Sequence, residues 1–281
     1  MDTVRAISGT ASDLWAVGLP GAAVHFDGAS WTPSCLPDPV SLAAVWVAAP
    51  SDVWAAGEQA VYRWNGSSWM RQNLGFTVNG PFIAAWGTSP ADVWLLAEDA
   101  VVHFDGRAFT RATLDDMRAL GFPFGAFRDV WGTGAADVWI AADRGTLHFD
   151  GSAWWASLAA PEEQLLHGVW AGAANDAWVV GVSLDGGGAA WRWSGAGWKQ
   201  EAWQGGAPLF GAVRGAAGAE FFVTATDVLQ RQGTTVRSLA PPAQPAGAPL
   251  ARAVNDLWLP DARGVAHWNG TAWTRSLDVP R

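Results

Sequence analysis

The stretch AAWGTSPADVWLLAEDAVVHFDGRAF, from Ala84 to Phe109, decides the fold. It reads as four short β-strands joined by tight turns. Ala-Ala-Trp begins the first strand, Gly-Thr-Ser-Pro-Ala forms a turn, and Asp-Val-Trp begins the second strand. Val-Val-His-Phe is the third, and Asp105-Gly106 predicts a hairpin turn into a fourth strand that begins at Phe109. The stretch therefore predicts one antiparallel sheet of four strands.

The Asp-x-Trp step of this stretch recurs along the chain at intervals of roughly forty residues, which is the spacing of propeller blades. Its copies are Asp13–Trp15, Asp52–Trp54, Asp92–Trp94, Asp137–Trp139, Asp176–Trp178 and Asp256–Trp258. A degenerate copy, Glu220-Phe221-Phe222, fills the one long gap. Seven repeats of this kind predict an all-β, seven-bladed β-propeller with four antiparallel strands in each blade.

The phase of the repeats predicts how the ring is assembled. The sequence begins on a first strand and ends on a fourth, so each blade is expected to come from one contiguous repeat. We expect a single domain, 1–281, with approximate blades 1–38, 39–77, 78–121, 122–162, 163–207, 208–246 and 247–281. Ring closure should then depend on face packing between blades one and seven.

Composition narrows the classes of protein that the chain can be. The 281 residues carry a formal net charge of −9, which disfavours a nucleic-acid partner because phosphate binding depends on Lys and Arg. The single cysteine, Cys35, excludes an internal disulfide and a cysteine-based zinc site. No apolar run approaches the ~20 residues of a membrane span. We expect no cofactor and a monomer.

The tryptophans and most of the histidines recur at fixed positions of the repeat, which indicates packing. All of the 21 tryptophans except Trp155 and Trp203 fall in such columns. His25, His103, His148 and His267 share one third-strand position, where two other blades carry Arg63 and Arg192. Because these side chains belong to separate blades, they should not converge on one ion. We therefore interpret this histidine column as structural and expect no metal site.

A second polar column lies on the first strands, which line the channel of a propeller. It comprises Arg5, Arg128, His167 and Arg252. If this column faces the axis, the four side chains could converge there on a ligand. The alternative is that they are polar residues hydrating a channel. These four are the channel candidates.

Loop lengths distinguish the two ends of the ring. Turns between first and second strands and between third and fourth strands are nearly constant, whereas long loops gather at the other end, at 113–126, 183–189, 199–208 and 239–249. Binding residues concentrate on loops held by a rigid scaffold. The candidates for ligand binding on this end are Asp115, Arg118, Phe122, Phe124, Asp185 and Trp203. The alternative is that these side chains form a small core beneath the loops.

Written as VWGTSPADVWxxGxxGxxHFDGxxW, the repeat resembles bacterial propeller repeats of the VWG…DVWAVG…HxDGxxW type, across blades one to five and seven. It is more distantly similar to tectonin-type lectin repeats. The bacterial resemblance implies an exported or surface protein. No signal peptide is predicted after Met1, so we expect either an intracellular chain or a domain or mature form of an exported protein, and localisation stays open.

The function that these observations predict is non-catalytic binding at the long-loop end, as a lectin-like or surface-recognition module with a glycan or protein ligand. The alternative is a protein-interaction scaffold in a multi-protein assembly. A glycoside hydrolase-like enzyme is less favoured, because such enzymes need two carboxylates about 5–10 Å apart. Asp115-Asp116 is the one pair of adjacent aspartates in the sequence, and it lies in a loop. The Asp-Gly-x-x-Trp turn resembles a sialidase Asp-box, but the single tyrosine, Tyr62, lies in a third strand.

Overall fold

The computed structural model of the protein describes residues 3–10, 12–18, 22–121, 125–203, 207–209, 214–216 and 219–279. These residues form seven antiparallel sheets of four strands, and in each sheet the strands follow one another in chain order. We call the sheets blades and number them one to seven along the chain. The prediction of an all-β, seven-bladed propeller built from contiguous repeats is confirmed.

The strands have the following bounds, four to a blade. Blades one to four contain β1 (Ala6–Thr10), β2 (Asp13–Val17), β3 (Ala22–Phe26), β4 (Trp31–Cys35), β5 (Ala44–Ala49), β6 (Asp52–Gly57), β7 (Ala60–Trp64), β8 (Trp69–Arg71), β9 (Phe82–Ser89), β10 (Asp92–Ala97), β11 (Ala100–Phe104), β12 (Phe109–Thr113), β13 (Phe127–Gly134), β14 (Asp137–Ala142), β15 (Gly145–Phe149) and β16 (Trp154–Ala159). Blades five to seven contain β17 (Gln164–Ala173), β18 (Asp176–Ser183), β19 (Gly188–Trp193), β20 (Trp198–Gln200), β21 (Arg214–Ala216), β22 (Ala219–Val223), β23 (Val228–Gln232), β24 (Thr235–Ser238), β25 (Leu250–Ala253), β26 (Asp256–Asp261), β27 (Gly264–Trp268) and β28 (Trp273–Asp278).

One short helix, α1 (Leu114–Arg118), interrupts the β-structure in the described part of the chain. Thr113 caps it by accepting from the backbone N–H of Asp116, whose side chain accepts in return from the N–H of Thr113. This reciprocal pair satisfies two N–H groups that the first turn would otherwise leave unpaired. The helix extends the connection between blades three and four. No helix within the described ranges is long and apolar enough to cross a membrane.

The second-strand tryptophans join each blade to the next. Trp139 of blade four lies 5.7 Å from Trp193 and 5.5 Å from Trp198 of blade five, measured between ring centroids. The second of these contacts is edge-to-face, an arrangement that aromatic pairs prefer. Blade six lacks tryptophan, and there Trp178 of blade five packs edge-on against Phe222 instead. The tryptophan column is therefore a set of contacts between blades.

The ring closes by the same contact. Trp258 of blade seven lies 5.5 Å from Phe26 and 6.5 Å from Trp31 of blade one. The indole N–H of Trp31 also donates to the hydroxyl of Ser276 at 2.9 Å. No sheet mixes strands from the two ends of the described chain. The expectation that face packing between blades one and seven closes the ring agrees with these contacts.

The histidine column stacks on the tryptophan column. The rings of Trp94 and His103 lie 3.9 Å apart and are tilted by 16°. Nε2 of His103 forms a hydrogen bond of 2.7 Å with Asp92, the aspartate of the Asp-x-Trp step. In blade two Arg63 replaces the histidine, bonds Asp52 and lies over the ring of Trp54. Each of these side chains therefore ties the third strand of a blade to its second strand.

In blades one to four and seven, the hairpin between the third and fourth strands is held by its own aspartate or asparagine. Asp105 accepts from the backbone N–H groups of Arg107 and Ala108, both at 2.8 Å. These hydrogen bonds hold the pKa of Asp105 below its usual range. Gly106 follows with a φ of 89°, a conformation that suits glycine. The Asp-Gly pairs are thus turn residues, as the sequence predicts.

Candidate functional site

A cavity of about 890 Å³ lies inside the ring. Its wall contains residues of the first strands of blades one to four, at 5–10, 43–47, 83–86 and 128–131, together with His167 and residues 223–225 and 244–250. Cavities of roughly 300–1,000 Å³ are the ones that hold small ligands or segments of larger ones. The axis of the ring is therefore a candidate site for a ligand of that size.

Three of the four channel candidates line this cavity: Arg5, Arg128 and His167. Each lies directly before a residue whose partner stands two positions after the tryptophan of the second strand. The three pairs are Ala6–Val17, Asp129–Ala141 and Gly168–Val180. The strand register skips Arg128 and His167, which form bulges. A bulge redirects its side chain. The residues at this position in blades one, four and five therefore line the same cavity.

Arg252 takes a different place from the other three. Pro245 pairs with Asp261 and Leu250 with Trp258, so the part of blade seven that corresponds to Arg5 lies within 245–250, before Arg252. Arg252 instead bonds the carboxylate of Asp256 at 2.5 Å and lies over the ring of Trp258. The register of β25 skips Arg252 in the bulge next to the first turn, where blades four and five have Thr133 and Gly172. Arg252 joins the turn between β25 and β26, and it is not among the residues that line the cavity.

Arg128 is held in place by Asp143, which follows β14. Its Nε donates to Oδ1 of Asp143 at 2.5 Å, and Oδ2 of that carboxylate accepts from the backbone N–H of Ala126 at 3.0 Å. Glu98 lies further away, with a separation of 3.9 Å from Nη1 of Arg128. A third of the Arg128 side chain is exposed. Asp143 therefore holds one edge of the Arg128 guanidinium in place.

His167 is uncharged at neutral pH. Burial lowers its pKa below the usual value of 6.5, and the positive charge of Arg128 lowers it further against the opposing effect of Asp143. The imidazole beside Arg128 thus adds polarity to the cavity without adding charge. Arg5 is exposed at the same register position and forms no ion pair with another described residue.

The acidic residue of the wall is already bonded. Asp129 accepts from the N–H of Val130 at 3.0 Å and from the N–H of Val169, in the next blade, at 3.1 Å. Both oxygens are therefore engaged, Oδ1 within blade four and Oδ2 across the junction of blades four and five. The other polar side chains of the wall are those of Arg5, Ser8, Thr10, Arg128, His167, Thr224 and Gln244.

The candidates on the long loops do not gather at one point. Asp115 and Arg118 are exposed and bond each other along α1 at 2.6 Å. Asp185 is exposed in the turn between β18 and β19, where it accepts from the N–H of Gly187. Phe122 and Phe124 lie outside the described residues. Next to Asp185 is a residue that the sequence analysis did not select, Leu184, which is 71% exposed.

Trp203 packs beneath its loop. Its ring lies 4.8 Å from that of Phe222, within the cluster that joins blades five and six. A Cβ on Gly188 would lie 2.6 Å from Cδ1 of Trp203, so this glycine provides room for the indole. The structure thus gives Trp203 the place described by the alternative of a small core, and its role in binding stays a prediction.

Asp143 and Gln244 are not among the residues that the sequence analysis names as candidates. Asp143 follows the second strand of its blade, at the position where other blades carry Glu58 and Glu98. The recurrence of an acidic residue there was a usable signal. The wall segment at 244–250 overlaps the long loop 239–249 of the sequence analysis, but its route along the cavity is a property of the ring.

No protein family and no curated protein matches the sequence of this chain. Solved structures match its fold. YCF48 bound to D1 peptide is 12% identical, with a TM-score of 0.73 over 95% of this chain and 93% of that chain. Virginiamycin B lyase from Staphylococcus aureus is 11% identical, with a TM-score of 0.73 over 92% and 91%. The WD40 β-propeller domain of Doa1 is 8% identical, with a TM-score of 0.75 over 98% and 93%.

These similarities define the class of the protein as a seven-bladed β-propeller. At such low identity they describe the fold alone. Because the matched structures include both a peptide complex and a lyase, the fold does not decide between binding and catalysis. The function has to be argued from the cavity and the loops of this chain.

Proposed function

We propose that the protein is a non-catalytic binding propeller that takes an extended segment of a partner protein into the cavity from the long-loop end. The observation that carries the proposal is that Arg5, Arg128 and His167 occupy one register position and line one cavity. This position stands at the start of the first strands, where the long loops enter the ring. The loop at 244–250, part of the connection between blades six and seven, lines the same cavity.

The polar groups suit a polypeptide better than a free anion. Arg128 is already paired with Asp143, and the lowered pKa of His167 leaves its imidazole neutral. Fixed donors without a strong net charge match backbone carbonyl groups, and Arg5 can donate to an acidic side chain or a terminal carboxylate. A solved structure of YCF48, which is similar in fold, shows that protein bound to D1 peptide. At this cavity a protein ligand, as in a protein-interaction scaffold, is therefore favoured over a glycan ligand.

The bonding of the carboxylates supports binding in place of catalysis. A general base must be free to take a proton from the substrate. Asp129 and Asp143 each accept hydrogen bonds on both oxygens from groups of the protein. A lectin-like or surface-recognition role would use the same long-loop end with a different ligand.

A peptide selection tests the proposal. A displayed library of random peptides would be enriched on the immobilised protein, and the enriched peptides measured by fluorescence anisotropy. We expect Arg5→Ala to weaken their affinity at least tenfold. The matched control is Lys199→Ala, since Lys199 is 81% exposed on β20, away from the cavity. Equal affinities for the wild type and Arg5→Ala, or no enriched sequence, would contradict the proposal.

A further inference from the structure

A second cavity lies on the rim of the ring, away from the axis. Its volume is about 480 Å³. It lies between the turn that joins β6 to β7 and the segment that follows β8. Its wall, which we call the rim groove, comprises Gln59, Val61, Arg71, Gln72, Asn73, Leu74, Phe76, Thr77 and Val78. Both connections belong to the long-loop end.

The segment that forms the rim groove is longer than the fold requires. Residues 160–163 are enough to join β16 to β17, whereas residues 72–81 join β8 to β9. Leu74, Phe76 and Val78 alternate inward and pack on the cluster between blades two and three. Asn73 and Thr77, between and beside them, are exposed. The extra residues therefore make an anchored strip with a polar outer side.

Contacts from blade three hold this strip in its place. Arg111 donates a hydrogen bond to the carbonyl oxygen of Thr77, and its guanidinium lies 5.2 Å from the centre of the Phe76 ring. The N–H of Gly75 donates to Oδ1 of Asn73 at 3.0 Å. The rim groove is thus formed before any ligand arrives, which lowers the entropic cost of binding.

Apart from Arg71, the polar side chains of the rim groove are neutral: the amides of Gln59, Gln72 and Asn73 and the hydroxyl of Thr77. Gln72 uses its Nε2 to donate to the carbonyl oxygen of Met70 and keeps its own carbonyl oxygen free for a ligand. Asn73 keeps its Nδ2, and Gln59 forms no hydrogen bond with any described side chain. Arg71, the one cation of this wall, lies 3.4 Å from Asp38. An amide offers a donor and an acceptor side by side.

We propose that the rim groove binds a neutral saccharide. Adjacent hydroxyl groups of a sugar each donate and accept, and the amides of Gln59, Gln72 and Asn73 supply both functions. The partly buried side chains of Leu74 and Phe76 provide an apolar floor for the C–H face of the ring. A phosphate or carboxylate ligand would call for more cations than Arg71. The volume lies within the usual range of ligand pockets.

An array of neutral oligosaccharides tests this proposal. The labelled full-length protein would be applied to gluco-, manno-, galacto- and chito-oligosaccharides, and the retained sugars measured in solution by calorimetry. Gln59→Ala and Asn73→Ala should each weaken binding at least tenfold. Gln200→Ala is the matched control, because Gln200 is an exposed amide on β20 at a distance from the rim groove.

The two proposals fail separately. Absence of binding to any neutral sugar on the array, or binding that survives both Gln59→Ala and Asn73→Ala, would overturn the saccharide site. Neither result bears on peptide capture by the axial cavity, which depends on Arg5. Circular dichroism melting of each variant shows that it is folded. Loss of sugar binding in a folded Gln59→Ala variant, with Gln200→Ala unaffected, supports the site.

Discussion

Trp86 of blade three lies directly over Gly132 of blade four, so closely that a Cβ on the glycine would be 2.5 Å from Cη2 of the indole. Trp46 covers Gly87 of the next blade in the same way, at 2.8 Å. The tryptophan of one repeat therefore packs on the glycine of the next repeat, and only a residue without a side chain fits beneath the indole.

Replacing this glycine should destabilise the ring. We expect Gly132→Ala to lower the free energy of unfolding by about 1–3 kcal/mol, the usual effect of overpacking a close contact. Gly134→Ala is the control on the same strand, since a Cβ there meets nothing within 4 Å, and it should change stability by no more than about 0.5 kcal/mol. Chemical denaturation measures both.

A double-mutant cycle assigns the cost to the indole. A Trp86→Ala background removes the contact of the indole with the added methyl group of Gly132→Ala, so the two changes should cost less together than the sum of their separate effects. Strict additivity would show that Gly132 is needed for another reason, such as the carbonyl of Asp137, which also lies 2.5 Å from the Cβ position.

Ring closure should be no weaker than any other junction. Trp31 donates to Ser276 across the junction of blades one and seven at 2.9 Å, and Trp69 donates to Ser34 across blades one and two at 3.1 Å. Removing either hydroxyl leaves an indole N–H without its acceptor. We expect Ser276→Ala and Ser34→Ala each to cost about 0.5–1.5 kcal/mol. A much larger loss of stability for Ser276→Ala in thermal denaturation would mean that the junction of blades one and seven contributes more to stability than the junction of blades one and two.

The fold could be predicted from the sequence because it depends on short-range repeats. Asp-x-Trp marks the second strand of every blade but the sixth, and Asp105-Gly106 marks a hairpin whose geometry is local. Arg252 differs from the other channel candidates because it occupies the bulge next to the first turn, and the repeat pattern does not show which residue of a strand is skipped. The packing of Trp203 depends on space left by Gly188 in another strand. Contacts of that kind are invisible to a repeat alignment.

The rim groove also could not be predicted from repeats. Gln59 belongs to a short turn and Asn73 to the following connection, and no repeat position links the two. The alternation of Leu74, Phe76 and Val78 indicates an extended segment with one buried side. The contact of this segment with Arg111 of blade three depends on how the two blades pack, which the sequence does not show. Sites built by loops from different repeats need the three-dimensional structure.

The histidine column should accept arginine. His103→Ala removes the stack on Trp94 and the hydrogen bond to Asp92, and we expect it to cost about 1–3 kcal/mol. His103→Arg should retain most of this stability, because Arg63 makes the corresponding contacts in blade two. Denaturation compares the two variants. Bound metal, measured by elemental analysis, should not change in either, and loss of stoichiometric zinc would refute the structural role.

His167 should make the protein less stable in mild acid. Its pKa in the folded state lies below the usual 6.5 because of burial and Arg128, so the unfolded chain takes up the proton first. The stability linked to the neutral imidazole is therefore fully present above about pH 6.5 and is lost as the pH falls through the folded pKa. We expect the loss of unfolding free energy between pH 7 and pH 5 to be smaller in His167→Gln. Identical pH profiles would contradict this.

Trp203 and Leu184 should separate packing from recognition at the long-loop end. Trp203 packs on Phe222, so Trp203→Ala is expected to cost about 2–4 kcal/mol, somewhat less than for a fully buried indole. Loss of ligand by that variant would therefore not identify a contact residue. Leu184 is 71% exposed, so Leu184→Ser should leave thermal stability within about 0.5 kcal/mol. If the ligand extends across this end, Leu184→Ser should weaken capture of the selected peptides several-fold while its melting temperature stays unchanged. Unchanged affinity would confine the ligand to the axial cavity.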